Sequence, residues 1–440
     1  MKNQKPMAFK ATDLPPGLRP FWLTAPAKFR LAAVLVALVC YCVLGTRLRA
    51  RYVYDTELHA LLLQLLILGE PSSGKGFTRV IMKQLMNLLE QKDEEQMRME
   101  QAYLELKKIT AKNKNLPEEP ITCVRMHTTI TRAKLVKRFD LTKRKYGDIL
   151  SLFFFSEELA TMTDNNKRAF ADMNTTDRLA YDQGTFSSDA LGEHCHNAKI
   201  TVAYSSLFCC TQRALNEYIT PKAIDGGNST RKILIEVDDN QLGEEAPVFR
   251  PQTEAEKAEI ENTVKKLMDE TYTADDKLQP IHIVPMEWMD GHIKKWCDAQ
   301  RNEILKSGSK AHNCFYKRSS VSAFRMAVML YHLWGETPEA RPKVVRFYRF
   351  MAQFILDGQL KQWGATYEKL QKGKKVKDEK KVSLYEQLPD TFSRDQLNEL
   401  CDSLNLSPGR IFLGKWKLKK FIIQPDPEKE VYIKNKSKKS

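Results

Sequence analysis

The sequence predicts an α/β fold built on a wound, mostly parallel sheet, followed by an α-helical extension and a small C-terminal module. Three observations carry that reading. Apolar runs of strand length at Leu61–Leu68, Ile149–Phe155, Ile200–Cys210 and Arg231–Val237 are separated by helical segments. The first run feeds directly into "GEPSSGKG", a glycine turn that ends in a lysine and opens a helix. After Pro251 the strand signal gives way to helical periodicity, with "AFRMAVMLYHLW" and "VVRFYRFMAQFIL" each spaced to bury one face.

Composition narrows the classes that fit. A chain of 440 residues can form one large core or two to three domains and needs no covalent staples. Its nine cysteines show no repeated CxxC spacing, and Cys40, Cys42, Cys209 and Cys210 sit inside apolar runs, so the chain reads as reduced and cytoplasmic. A formal charge of +15 suits a polyanionic partner, either nucleic acid or an anionic membrane surface. The uninterrupted apolar run Leu31–Leu44 is shorter than the roughly 18 to 20 residues that cross a bilayer, so it is expected to be a buried helix. No stable membrane span is expected. The run also lacks the cleavage pattern of a signal peptide.

In chain order, 1–26 is a proline-rich arm and 27–250 holds the sheet. A helical insertion at about 80–115 interrupts the sheet region, because Val80 to about Lys112 contains neither Gly nor Pro. The distal part of that helix, "EQKDEEQMRMEQ", is charged nearly all round and is expected to project into solvent. Residues 251–371 form the helical domain. The charge block 372–382 reads as a basic linker, 383–434 as a winged-helix-like module and 435–440 as a basic tail. Within the module, Ser393 with Gln396 makes a capping box, while Ser407 followed by Pro408 marks a second helix start.

Gly69, Gly74 and Lys75 have the spacing of the Walker A phosphate loop of P-loop NTPases, and the strand-to-helix context that such a loop requires. Glycines let successive N–H groups turn inward around phosphate, the helix N-terminus adds positive potential, and Lys75 reaches the terminal phosphates. The competing reading is a glycine-rich turn with an exposed lysine. Gly76 stands where Ser or Thr normally supplies a hydroxyl to Mg2+. Thr78 is rotated about 200° away on a helix, which leaves Ser72 or Ser73 as the nearby hydroxyls. ATP binding is therefore expected from the backbone and Lys75, with hydrolysis lacking one usual anchor.

Hydrolysis also needs acid at the end of a neighbouring strand. "ILSLFFFSEEL" offers Glu157 as metal ligand with Glu158 beside it. A strict alignment instead puts Ser156 in the metal aspartate's place, and a solvated acidic pair at a helix start is the plainer alternative. Thr211 follows the third apolar run and could touch the terminal phosphate. Arg231, beyond the loop "DGGNST", could stabilise phosphoryl charge across a subunit boundary, or be an ordinary surface arginine. A zinc reading of His194, Cys195 and His196 is rejected, because ligands this close rarely close one tetrahedral site.

The series of an apolar helix, "GEPSSGKG", a long helix, "HTTITRAKLVKRF", "SEEL", "RLAYDQGTF", "CTQ" and Gly-Gly-(x)3-Arg resembles one known family. It is that of the P-loop ATPase domains of primase-associated helicase-like proteins of bacterial integrative and conjugative elements, themselves similar to superfamily 3 and AAA+ helicases. The resemblance covers about residues 20–360. It implies nucleotide binding at Gly69, Gly74 and Lys75, an acidic site at Glu157 or Glu158, a sensor at Thr211 and an arginine at Arg231. It further implies a possible primase partner and a homo-oligomeric ring. The C-terminal module resembles winged-helix DNA-binding modules, with Phe412 and Trp416 inward and Arg410, Lys415, Lys417 and Lys419 toward DNA, unless that basic helix is merely solvated.

Two functions follow as expectations. One is an ATP-binding, ATP-hydrolysing helicase-like motor or initiator acting on DNA in replication or transfer of a mobile element. The other is a DNA-binding adaptor whose degenerate phosphate loop binds nucleotide without hydrolysing it.

Overall fold

Five segments pair in parallel in the computed structural model; four of them are almost wholly buried and mostly apolar, as strands covered on both faces must be, and the fifth is a short, half-buried edge. They are β1 (Gln64–Leu68), β2 (Met126–His127), β3 (Leu152–Ser156), β4 (Tyr204–Cys210) and β5 (Ile233–Glu236), in the spatial order β2-β3-β4-β1-β5. The register sets Leu68 beside Cys210 and Ser156 beside Phe208, so β1 and β4 finish level and β3 ends two residues earlier. The structure describes residues 9–109, 117–159, 173–188, 197–237, 248–404 and 406–435, apart from the side chains of 173, 188 and 374–383. The chain divides into two units, Met1–Ala365 and Thr366–Ser440.

Around this sheet the first unit departs from the sequence reading in instructive places. The run Ile200–Cys210 is two strands, because Val202 donates its N–H to Gly184 and Ala203 accepts from Leu152. The segment before it, Ala198–Thr201, pairs antiparallel with Thr185–Ser188. Arg231 precedes β5 in a 3-10 turn, Ser229–Arg231, rather than starting the strand. The apolar helix Arg30–Leu44 is buried from Ala32 to Leu44 and packs on β1, β4 and the long helix Phe77–Ile109. Ala27–Leu44 is apolar enough to cross a membrane by composition, yet 78% of it is buried inside the protein. Part of the proline-rich arm also lies on this unit, with Phe9 against Phe347 and Phe350, and Asp13 paired with Arg346.

The expectation that the distal long helix projects freely is corrected over its middle. Asp93 and Gln96 are buried there, and they accept the backbone N–H groups that edge strand β2 and its approach would otherwise leave unpaired. The Asp93 carboxylate takes the N–H of Arg125 at 2.9 Å and that of Met126 at 2.6 Å, while Gln96 takes that of Cys123. Glu100, one turn on, pairs with Arg138 and Lys134. Charged residues are thus used inward, to finish the sheet, and a helical wheel cannot show this. Burial pushes the Asp93 carboxyl up to about 6 despite those donors. The helix is described as far as Ile109, so the end of the expected insertion lies outside the described residues.

The helices Glu254–Asp269, Asp290–Ser307, Lys310–Leu333 and Arg341–Gln359 belong to the same unit as the sheet. Buried Gln359 shows why: its amide donates to the backbone of Thr230 and Lys232, at the entrance to β5. Strand His282–Ile283 likewise pairs in parallel with Leu48–Arg51.

In the second unit, a three-stranded antiparallel sheet of Thr391–Ser393, Val431–Lys434 and Ile422–Ile423 packs with helices Arg394–Ser403 and Gly409–Leu418. Phe392, Leu397, Phe412, Leu413, Trp416 and Tyr432 form its core with Leu384 and Leu388. The capping box of Ser393 and Gln396 is present. The Ser407 cap is not, because Asn398 from the preceding helix accepts the Gly409 N–H instead. The block 372–382, read as a linker, lies within helix Ala365–Gln387, consistent with the helix propensity of Lys and Glu.

Replacing Asp93 with Ala removes the acceptor for two buried N–H groups. It is expected to lower unfolding free energy by about 2 to 4 kcal/mol, measured by urea denaturation. A loss below about 0.5 kcal/mol would contradict the edge-strand role.

Candidate functional site

The loops that leave β1, β3 and β4 converge on one edge of the sheet, where β1 and β4 end level and β3 two residues earlier. In open α/β sheets ligands bind in the crevice outside the carboxyl ends of the strands. A cavity of about 650 Å³ lies there, lined by Ser72, Ser73, Gly74, Lys75 and Gly76 from the β1 loop, Glu157 and Glu158 from the β3 loop, and Thr211 from the β4 loop. Cys209 and Cys210 form part of its wall, and burial pushes their thiols up to about 11 and about 12, so they are neutral lining.

The glycine loop is held in shape by contacts that explain its sequence. Gly69 donates to Cys210, which continues the β1–β4 pairing one residue past the strand. A side chain at Gly69 would meet Ser73 Oγ at 2.5 Å and Val237 O at 2.8 Å, so only glycine fits. Ser72 and Gly74 both have positive φ, 64° and 79°. Ser73 is buried and its Oγ accepts from Lys75 Nζ. Among the described residues, the N–H groups of Gly74 and Gly76 meet no protein acceptor, an arrangement suited to an anion. Lys75 Nζ lies over the loop, donating to Gly69 O at 2.7 Å and Glu70 O at 2.5 Å. Partial burial holds this ammonium below the usual lysine range, against the opposing pull of Glu70 and Glu158.

Position 76 is open. A Cβ there would have nothing within 4 Å, so the loop could hold a hydroxyl side chain and carries none. Thr78 does not replace it: its hydroxyl donates to Lys75 O and contacts Cys209 Sγ, turned into the core. Ser156 does not replace the missing aspartate either. It is buried and its hydroxyl bridges the backbone of Glu158. The two acids therefore stand on the loop beyond the strand. Glu157 meets Arg79 at 3.6 Å, and Arg79 lies four residues after Lys75, in the first turn of the long helix. Arg79 was missed in the sequence, although helical spacing from Lys75 would have placed it near the loop.

Thr211 lies at this edge, where its side chain caps the helix Gln212–Tyr218 by accepting from Ala214 N–H. Its hydroxyl proton is left to donate. Arg231 is not brought to the cavity. It precedes β5, at the amino end of the parallel strands, and it pairs with Asp182 at 2.6 Å and donates to Gly227 O. Beside it lies a fully buried pair, Lys232 with Asp177 at 2.8 Å, which Tyr204, Tyr218 and Asn228 complete by donating to Asp177. The His194, Cys195 and His196 group lies outside the described residues.

In the second unit, Arg410, Lys415, Lys417 and Lys419 are exposed on or just after helix Gly409–Leu418, while Phe412 and Trp416 face the core. Lys417 also lies over the Tyr432 ring at 5.0 Å.

No protein-family model matches the sequence, and no curated protein matches it. The geometry gathers a glycine loop with its lysine, two carboxylates and a threonine around one cavity at the carboxyl edge of a parallel sheet.

Gly76→Ser is expected to change unfolding free energy by less than about 0.5 kcal/mol, because the added atoms enter open space. Gly69→Ala is expected to cost about 1 to 3 kcal/mol, because its methyl meets Val237 O and Ser73. Thermal and urea unfolding of the two variants side by side distinguish a shaped loop from an ordinary surface turn, where both would be mild.

Proposed function

We propose that the Gly69–Lys75 loop is the phosphate loop of a P-loop NTPase core and binds ATP with Mg2+. In this reading the chain is a helicase-like motor or initiator that acts on DNA in replication or transfer of a mobile element. The observation that carries it is the convergence of the glycine loop, Lys75, Glu157, Glu158 and Thr211 on one cavity at the ends of three adjacent parallel strands. Phosphates would sit against the Gly74 and Gly76 N–H groups, with Lys75 turning from its carbonyl contacts to the terminal phosphate. Glu157 would hold Mg2+ through water and Glu158 would orient the attacking water. The donor set fits a nucleotide with its metal, since a cation there faces two carboxylates and an anion faces backbone N–H groups and an ammonium.

The helix-and-hairpin unit at the C-terminus supports a winged-helix DNA-binding reading. Its second helix would present Arg410, Lys415, Lys417 and Lys419 to the duplex. A primase partner and ring assembly remain part of the proposal through the family resemblance alone. Arg231 could serve a neighbouring subunit's phosphate only by leaving Asp182.

Three observations favour the second reading, an adaptor that binds nucleotide without turnover: the bare Gly76, the inward-turned Ser156 and the Arg79 pair that occupies Glu157. DNA-stimulated phosphate release separates the two. The motor reading requires turnover by the wild type that Lys75→Ala abolishes; tight ATP binding with no release in the presence of DNA supports the adaptor. Either way, Lys75→Ala should weaken ATP binding by about 2 kcal/mol, roughly thirtyfold, in titration calorimetry. Unchanged affinity would remove the loop from both readings.

For DNA, Lys415→Ala should weaken binding similarly across sequences and reduce the slope of log K against log salt by about 1. An unchanged slope would place the DNA surface elsewhere.

A further inference from the structure

Far along the chain from the glycine loop, His282, His332 and Glu336 bring one ligand atom each within 4.8 Å of one another. His282 Nε2 meets Glu336 Oε1 at 2.5 Å, and His332 Nδ1 meets the same oxygen at 2.7 Å. We propose that these three side chains form a zinc site that staples the helical part of the first unit to its small sheet.

The geometry behind the three ligands is that of a supported metal site. His332 is 5% exposed, and its other ring nitrogen, Nε2, lies 2.8 Å from Glu270 Oε2. A metal-ligating histidine characteristically gives its second N–H to a carboxylate, which fixes tautomer and ring orientation. With zinc on Nδ1, the Nε2–H of His332 would donate to Glu270. One Glu336 oxygen faces both imidazoles, and the buried His332 ring lies between two carboxylates.

The backbone aims Glu336 deliberately. The turn after helix Lys310–Leu333 takes positive φ at Gly335, 72°, and at Glu336, 59°. Tyr331 clamps it from both sides, accepting the Glu336 N–H on its carbonyl and donating its hydroxyl to Glu336 O at 2.6 Å. His282 comes from the strand that pairs with Leu48–Arg51, its N–H bonded to Arg47 O. Four segments therefore meet: the end of helix Glu254–Asp269 through Glu270, strand His282–Ile283, the end of helix Lys310–Leu333 and the turn after it. Two imidazoles and one carboxylate suit zinc, and half-exposed His282 leaves the fourth position to water. The ligands are separated by 50 and 4 residues, so no local motif announces them.

The test uses the full chain without a histidine tag, stripped with chelator and titrated with zinc chloride by calorimetry, with cobalt(II) absorption as a second readout. The expected result is one zinc per chain, cobalt bands of a histidine-ligated site, and a melting temperature raised by zinc. Glu336→Gln and His282→Ala should lose the bands and the melting shift, and Glu270→Gln should weaken zinc binding about 10- to 100-fold. Half-exposed His282 makes its alanine variant the one expected to fold regardless, as circular dichroism checks. Folded wild type that takes up no zinc or cobalt, or uptake that persists unchanged in folded His282→Ala, would overturn the proposal.

Discussion

Parallel pairing of β1 with β4 is the constraint on which the rest of the first unit depends. The ladder runs from Gln64 opposite Ser206 to Leu68 opposite Cys210, and the Gly69 N–H extends it by one more bond to Cys210 O. That last bond anchors the start of the glycine loop to the strand that carries Thr211. β3 joins β4 on its other side in a register that ends at Ser156 opposite Phe208. The glycine loop and the acidic loop are therefore separated by one strand and open toward the same space. A shift of one residue in either register would turn every strand side chain to the other face. It would also move Ser156 from its position beneath Glu158.

The same sheet explains where buried charge is tolerated. Asp177 and Lys232 are fully buried, which costs more than it returns unless the remaining lone pairs and protons are met. Here Tyr204 comes from β4, Tyr218 from the helix after it and Asn228 from the turn before β5, and Gln64 of β1 holds the Asp177 carbonyl. One residue, Asp177, thus ties the amino ends of three strands, through its carbonyl to β1 and its carboxylate to β4 and the entrance of β5. Arg125 plays the matching part at the other edge, where its guanidinium reaches Ser151 O and Val43 O and its N–H meets Asp93. The polar interior is concentrated where the sheet is closed.

Much of this was legible in the sequence and some could not have been. The buried strands were readable as apolar runs, and the glycine loop as a spacing, because both depend on local composition. β2 was not, since "CVRMH" has neither length nor alternation; it is a strand because Asp93 and Gln96 of a distant helix complete its approach. The charged helix was read as solvent-facing for the same reason, since its inward use exists only in three dimensions. Arg231 was open in the sequence, since its loop fits a mobile arginine or an ordinary surface one; Asp182 pairs with it at the amino end of the strands. The divided run Ile200–Cys210 looked continuous because Val202 and Ala203 are apolar, and only their hydrogen bonds separate the two strands.

Gly76 gains physical content from its surroundings. A glycine can be demanded by backbone conformation or by crowding, as at Gly74 and Gly69, and position 76 is subject to neither. Nothing in the fold forbids a serine there. The loop's shape, its N–H groups and Lys75 are compatible with holding phosphate whether or not a hydroxyl is present, because those contacts come from the backbone and one ammonium. A metal is different, since its position depends on which oxygens face it, and here the carboxylates that line the cavity are on the acidic loop. In the proposed site Mg2+ would be drawn toward Glu157 and Glu158 and held on its other side by the phosphates alone. Phosphate affinity and metal placement are then set by different loops, and the Arg79 pair with Glu157 links the two.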